Sequence, residues 1–261
     1  MHLASAFLFF LPNNKNKGEF RQRWSRQLLS ILGVRLQAGE VRVAPGTLIV
    51  ANHVSWLDVI ALSAFCPAVF VAKKEIRRWP LIGWLLERND SLFVDRRVGR
   101  HLLHLNAEIA ARLAAGGTVA FFPEGTTTDG AGLLPFRPAL FEPAVRGGHR
   151  LQAFTLAYRD SSGRRCEAAA FIGQQSLWQS LLAIASQPGI VASIRACPAI
   201  ATASLSRREA ARLAQAAVQE RLLGGSSLPA RQNPAETPAG AAGSASASGT
   251  APSSTAPIWA N

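Results

Sequence analysis

The chain has 261 residues, 48% of them hydrophobic, enough to bury one sizeable core and within reach of one large domain or two small ones. Its 28 lysines and arginines outnumber 16 carboxylates, and the net charge of +12 narrows the partners to polyanions: nucleic acid, an anionic membrane, or acidic substrates and carrier proteins. Three scattered cysteines, Cys66, Cys166 and Cys197, exclude a disulfide framework and a C-x-x-C metal or redox site, and fit a reducing compartment.

The first twelve residues, Met1 to Pro12, are apolar but shorter than the ~20 needed to cross a bilayer, and no basic stretch precedes them. The uncharged run 59–72 is also short and holds Pro67, so a chain that touches lipid is expected to lie on the membrane. Cations gather at 15–42 and 73–100. A helix is predicted over 20–36, where Phe20, Trp24, Leu28, Ile31 and Leu32 share about a third of the circumference, with Arg23 and Arg26 opposite. That pattern suits an interfacial membrane anchor and equally a helix packed on a core.

After Pro45-Gly46 the β-branched run 47–51 reads as a buried strand, with a helix starting near Ser55. Further strands are expected at 68–72, 92–94, 118–122, 152–158, 168–172 and 190–196, and helices at 101–115 and 177–186. Ser206-Arg207-Arg208-Glu209 is a capping box opening a helix through about residue 223, ended by Gly224-Gly225. The alternation predicts an α/β fold with a mixed, largely buried sheet flanked by helices. From 224 to 261 the chain is Ala, Gly, Ser, Thr and Pro, with too little apolar bulk to offset ordering, and is expected to be a disordered tail.

Three polar clusters stand at predicted strand ends, where ligands bind in α/β sheets. His53 follows the first strand and precedes Asp58 by five residues, a spacing that suits a general base with an orienting acid, and also a helix-start pair of Ser55 and Asp58 beside a structural histidine. Phe93-Val94-Asp95-Arg96-Arg97 puts cations after one strand; Phe121-Phe122-Pro123-Glu124-Gly125-Thr126-Thr127-Thr128 puts an acid, a glycine and hydroxyls after another. Walker A, G-x-G-x-x-G, G-x-S-x-G and H-E-x-x-H patterns are missing from the sequence.

Asn52-His53-Val54-Ser55-Trp56-Leu57-Asp58 resembles the N-H-x-S-x-x-D block of the glycerolipid acyltransferases. Phe93-Val94-Asp95-Arg96 is similar to that family's second block, Phe122-Pro123-Glu124-Gly125-Thr126 to its third, and the segment from Lys73 to Gly83 between them is also typical; the resemblance covers about residues 45–200. It implies a glycerol-3-phosphate acyltransferase-like fold with an N-terminal membrane-associating helix, divided as 1–44 membrane-associating segment, 45–223 acyltransferase domain and 224–261 tail. It also implies that His53 deprotonates an acceptor hydroxyl, that Asp58 orients His53, and that the alkoxide attacks an acyl-CoA or acyl-carrier-protein thioester. By the same resemblance Arg96 binds the acceptor's phosphate or other anionic head, and Glu124, Gly125 and Thr126 shape the pocket. No metal or cofactor is implied, and the expected place is the cytoplasmic face of the inner membrane, peripheral or monotopic.

Two positions depart from the pattern. Thr127 stands where phosphate-specific members carry arginine, and Ala153 where the fourth block carries proline. Glu124-Gly125-Thr126-Thr127-Thr128-Asp129-Gly130, followed by Leu134-Pro135-Phe136-Arg137, is similar to members that acylate lyso-ornithine lipid. The expected acceptor is 1-acyl-sn-glycerol-3-phosphate, with lyso-ornithine lipid as the alternative. A nucleic-acid binder finds no support beyond charge, since no nucleic-acid module and a single tyrosine accompany it. A non-catalytic basic membrane-binding module has no need of both His53 and Asp58.

Overall fold

Thr47–Ala51 forms a strand buried at all five positions, and the rest of the chain is layered around it. The computed structural model describes residues 17–78, 83, 86–87, 90–94 and 99–224, all in the compact unit Met1–Ser226. Seven strands, β1 Val34–Ala38, β2 Thr47–Ala51, β3 Val69–Lys73, β4 Leu92–Val94, β5 Val119–Phe121, β6 Arg150–Asp160 and β7 Ile190–Ile200, make one sheet in the order β1-β7-β6-β2-β5-β3-β4. Its pairings are parallel except the long antiparallel pair β6–β7.

Both faces of the sheet are covered. Along β2, Ile49 and Ala51 point to one core and Leu48 and Val50 to the other, as the two-residue period of a strand requires. The first core takes in α1 (Lys17–Ile31), α2 (Leu57–Phe65) and α5 (Leu177–Ala185), through Leu29, Ile60 and Ile184. The second takes in α3 (Gly99–Ala114), α4 (Glu142–Gly147) and α6 (Arg207–Gly224), through Ile109, Ala144 and Val218. Two-sided burial explains why β2 reads as an unbroken apolar run. The expected mixed, buried sheet flanked by helices is therefore present.

Two expected elements come out differently. The helix predicted to 36 stops at Ile31, because Gly33 turns the chain with φ +70 and Val34 starts an edge strand along β7. Residues 168–172 form no strand. A 3-10 turn, Glu167–Ala169, uses the first of their backbone groups, and Phe171 N–H donates to Val54 O at 2.9 Å, so no ladder partner is left to them. The capping box at Ser206 and Glu209 is formed as expected, at 2.8 and 3.2 Å.

α1 packs against α2. Ser25 and Leu29 are buried, Gln22 Nε2 donates to Phe65 O at 2.9 Å, and Arg26 Nε donates to Ala64 O at 3.1 Å, which satisfies carbonyls at the end of α2. Ile31, expected on the apolar face, is 70% exposed. Residues 1–16 and the expected tail beyond Gly224 lie outside the described residues. Among the described residues no helix is long and apolar enough to cross a membrane.

Candidate active site

The site starts where β2 ends. The Asn52 side chain clasps the backbone of Leu156 on β6, accepting from its N–H at 2.7 Å and donating to its C=O at 2.9 Å. The chain leaving β2 is thereby fixed against β6 before it turns into α2. His53 is the next residue, and Asp58 lies in the first turn of α2, where the helix N-terminus favours a negative charge.

Asp58 is fully buried and its carboxylate is surrounded by donors. Oδ2 accepts from His53 Nδ1 at 2.7 Å, from Val54 N–H at 2.7 Å and from Ser55 N–H at 2.9 Å. Oδ1 accepts from the Tyr158 hydroxyl at 2.6 Å. The same carboxylate thus meets both the helix start at Ser55 and the ring of His53. Ser55 makes no helix cap, and the carboxylate that orders the loop also holds the imidazole. With Nδ1 bonded to Asp58, Nε2 is the ring nitrogen free of that contact and chemically able to accept a proton. The ring is further held flat on Phe122, with centroids 4.0 Å apart and planes 7° apart.

The third motif block is tied to the first by Glu124. Its Oε1 accepts from His53 N–H at 2.7 Å and its Oε2 from Leu134 N–H at 2.8 Å, while Thr128 N–H donates to His53 O at 2.8 Å. Burial pushes the Glu124 carboxyl above its ordinary value, against the pull of those two N–H groups. Glu124 is 1% exposed and stands behind His53, outside the cavity lining. Its two observed bonds tie the loop at Leu134 to the backbone of His53.

His53, Gly125, Thr126 and Thr127 open onto a cavity of about 350 Å³. The lining includes Lys73 and Glu75 and is otherwise largely apolar, with Val59, Phe70, Leu86 and Leu140. Gly125 turns with φ +77, a conformation that side chains resist, and brings backbone to the cavity edge. Thr127 Oγ1 donates to Phe171 O, tying this loop to the segment after the Glu167–Ala169 turn. Arg96 lies outside the described residues. Of the expected site residues, His53, Asp58, Glu124, Gly125 and Thr126 are thus brought together, from segments far apart in the chain.

Tyr158 and Phe122 acquire contacts that sequence reasoning did not assign. Phe122 stood inside a motif block without a role. Tyr158 lies 100 residues from Asp58, and its only signal was a phenol at a core-facing position of an apolar strand, where a hydroxyl needs a partner.

A family model described as acyltransferase matches residues 34–156. A 1-acyl-sn-glycerol-3-phosphate acyltransferase of Neisseria meningitidis is 39% identical over 158 residues, 59% of this chain and 60% of the relative. A similarly named protein of Neisseria gonorrhoeae is 41% identical over 141 residues, 52% of this chain and 54% of the relative. The chain thus spans less than two thirds of the length of these two relatives. A lyso-ornithine lipid O-acyltransferase of Pseudomonas aeruginosa is 39% identical over 209 residues, 78% of this chain and 80% of the relative. The crystal structure of a 1-acyl-sn-glycerophosphate acyltransferase from Thermotoga maritima matches with a TM-score of 0.62 over 87% of this chain and 89% of the other, at 18% identity, which establishes the shared fold. With identity of this extent on a common architecture, the chain belongs to the acyltransferase family.

Proposed function

We propose that the protein transfers a fatty acyl group from a thioester, acyl-CoA or acyl-carrier-protein, to the free hydroxyl of a lyso-lipid, with 1-acyl-sn-glycerol-3-phosphate as acceptor, in phospholipid biosynthesis. The observation that carries this reading is His53, whose Nδ1 is held by buried Asp58 while the ring lines a mostly apolar cavity. In the proposed reaction His53 Nε2 takes the acceptor's hydroxyl proton as the oxygen attacks the thioester carbonyl. Asp58 stabilises the imidazolium that forms. Collapse of the tetrahedral intermediate breaks the C–S bond, and the imidazolium returns the proton to the departing thiolate. Arg96 is assigned to the acceptor's anionic head, and Glu124, Gly125 and Thr126 to the pocket that receives it.

Direct transfer is favoured over an acyl-cysteine intermediate. Burial pushes the Cys66 thiol up to about 12 and the Cys197 thiol up to about 11, and raises that of Cys166. None of the three lines the cavity. Thiolates are the nucleophilic form, so such cysteines are inert at neutral pH.

A second acceptor, lyso-ornithine lipid, is favoured by Thr127, which lacks the planar cation of phosphate-specific members, and by the length of the Pseudomonas match. The membrane-associating part is placed in 1–44, the acyltransferase domain at 45–223 and the tail at 224–261; α1 and β1, inside the first of these, also complete the fold. An anionic surface on the cytoplasmic face of the inner membrane suits the basic chain.

Thiol release from an acyl-thioester, measured with each lyso-lipid in turn, tests the reading. His53→Ala is expected to lower it by about 10²–10⁴-fold with the circular dichroism spectrum unchanged. Release undiminished in that variant overturns the mechanism. Wild-type protein that binds vesicles but releases no thiol with any acceptor points instead to a non-catalytic membrane module.

A further inference from the structure

We infer that Tyr158 is a positioning residue that sets the proton affinity of His53 through Asp58, making the working unit a Tyr158–Asp58–His53 relay. The inference rests on the acyl-transfer reading, and concerns a residue at the end of the fourth block to which the resemblance assigns no role. Its basis is geometry. The Tyr158 hydroxyl donates to Asp58 Oδ1 at 2.6 Å, while His53 Nδ1 meets Oδ2 of the same carboxylate at 2.7 Å. Tyr158 is 3% exposed and Asp58 fully buried, so water does not compete for either oxygen.

The fold builds this contact deliberately. Asn52 clasps Leu156 by both backbone groups, and Leu156 and Tyr158 face the same core two residues apart on β6. The clasp that aims His53 therefore also fixes the register of Tyr158. Cys166 N–H donates to Tyr158 O at 2.9 Å and closes the other side. Burial, then the Asp58 charge, drive the phenol well above the usual tyrosine range, so it remains a donor throughout any working pH.

The electrostatic consequence has a definite sign. A short O–H···O⁻ bond withdraws negative charge from the carboxylate, which then stabilises the imidazolium less. Losing the phenol hydroxyl strengthens that stabilisation and keeps His53 protonated to higher pH. Among the described residues, the other charged groups near the ring are Glu124, whose Oε1 meets the His53 N–H, and Lys73 and Glu75 on the cavity wall. A phenol substitution leaves all three in place.

Tyr158 is the single tyrosine of the chain, so growth on 3-fluorotyrosine changes this site alone. Ring fluorination makes the phenol a stronger acid and a stronger donor, opposite in sense to Tyr158→Phe. The acid limb of kcat/KM is expected to move up by roughly half to one pH unit in Tyr158→Phe, and down in the fluorotyrosine protein. The same opposed shifts are expected in the NMR titration of the His53 ring, its signal identified by its loss in His53→Ala. A purely structural role lowers the thermal midpoint of Tyr158→Phe but moves neither acid limb nor titration. Coincident profiles in the wild type and fluorotyrosine proteins overturn the relay. Absence of thiol release in the wild type refutes acyl transfer alone, since the NMR titration still reads the coupling.

Discussion

At the residue scale, Glu124 separates position from contact. Each of its carboxylate oxygens accepts from a backbone N–H, so the side chain holds the His53 and Leu134 segments together. Its stability contribution depends on pH with a sign set by burial. The folded carboxyl holds its proton above the ordinary value of 4.5. As pH rises from that value through the folded one, the unfolded chain has lost a proton that the native chain still binds, and stability falls. Glu124→Gln removes this slope while leaving a backbone N–H without an acceptor, at a cost of about 1–3 kcal/mol. Urea unfolding of both proteins from pH 4.5 to 8 is expected to show the largest wild-type advantage at the acid end, narrowing as pH rises. A constant difference across that range contradicts the assignment of the raised carboxyl to Glu124.

At the element scale, α1 is held by side-chain burial and by hydrogen bonds to the end of α2. Leu29→Ala, at a residue 1% exposed, is expected to cost about 2–4 kcal/mol in denaturant unfolding without any lipid present. Ile31→Ser, at a residue 70% exposed, is expected to stay within about 0.5 kcal/mol. Equal effects place the buried face of α1 elsewhere. This helix also marks the limit of what its sequence discloses. The apolar stripe predicted its existence, but the docked centre is Ser25 and Leu29, because a small residue allows close approach to α2 and hydropathy does not score closeness. β2, β4 and the helix after Ser206 were legible to the residue or nearly so, since short apolar runs and a capping box are local signals. β1 was not, because Val34–Ala38 is an edge strand with exposed Arg35 and Gln37, specified by its pairing to β7. The site shows the same division. The His-Asp spacing and the Glu-Gly turn are short-range patterns, whereas the Tyr158 hydroxyl reaches Asp58 only through the parallel register of β2 and β6.

At the scale of the whole molecule, the net charge of +12 lies outside the tail, where Arg231 and Glu236 cancel. The proposed membrane contact is then electrostatic in part and belongs to the chain before residue 225. Raising salt from 0.1 to 1 M contracts the screening length from about 10 Å to about 3 Å, which weakens attraction between exposed cations and an anionic leaflet. Each Lys or Arg near such a surface contributes about 1 kcal/mol at physiological salt, so losing even a few is expected to loosen binding at least tenfold. Sedimentation with anionic and with neutral vesicles measures this directly, and a protein truncated after Gly224 is expected to give the same salt dependence as the full chain. Acyl transfer to a short-chain lyso-lipid dispersed as monomers is expected to change far less over that range, because the His53–Asp58 contact is buried and screened little. If high salt leaves vesicle binding intact, or if truncation abolishes its salt dependence, the basic surface is not what brings this chain to lipid.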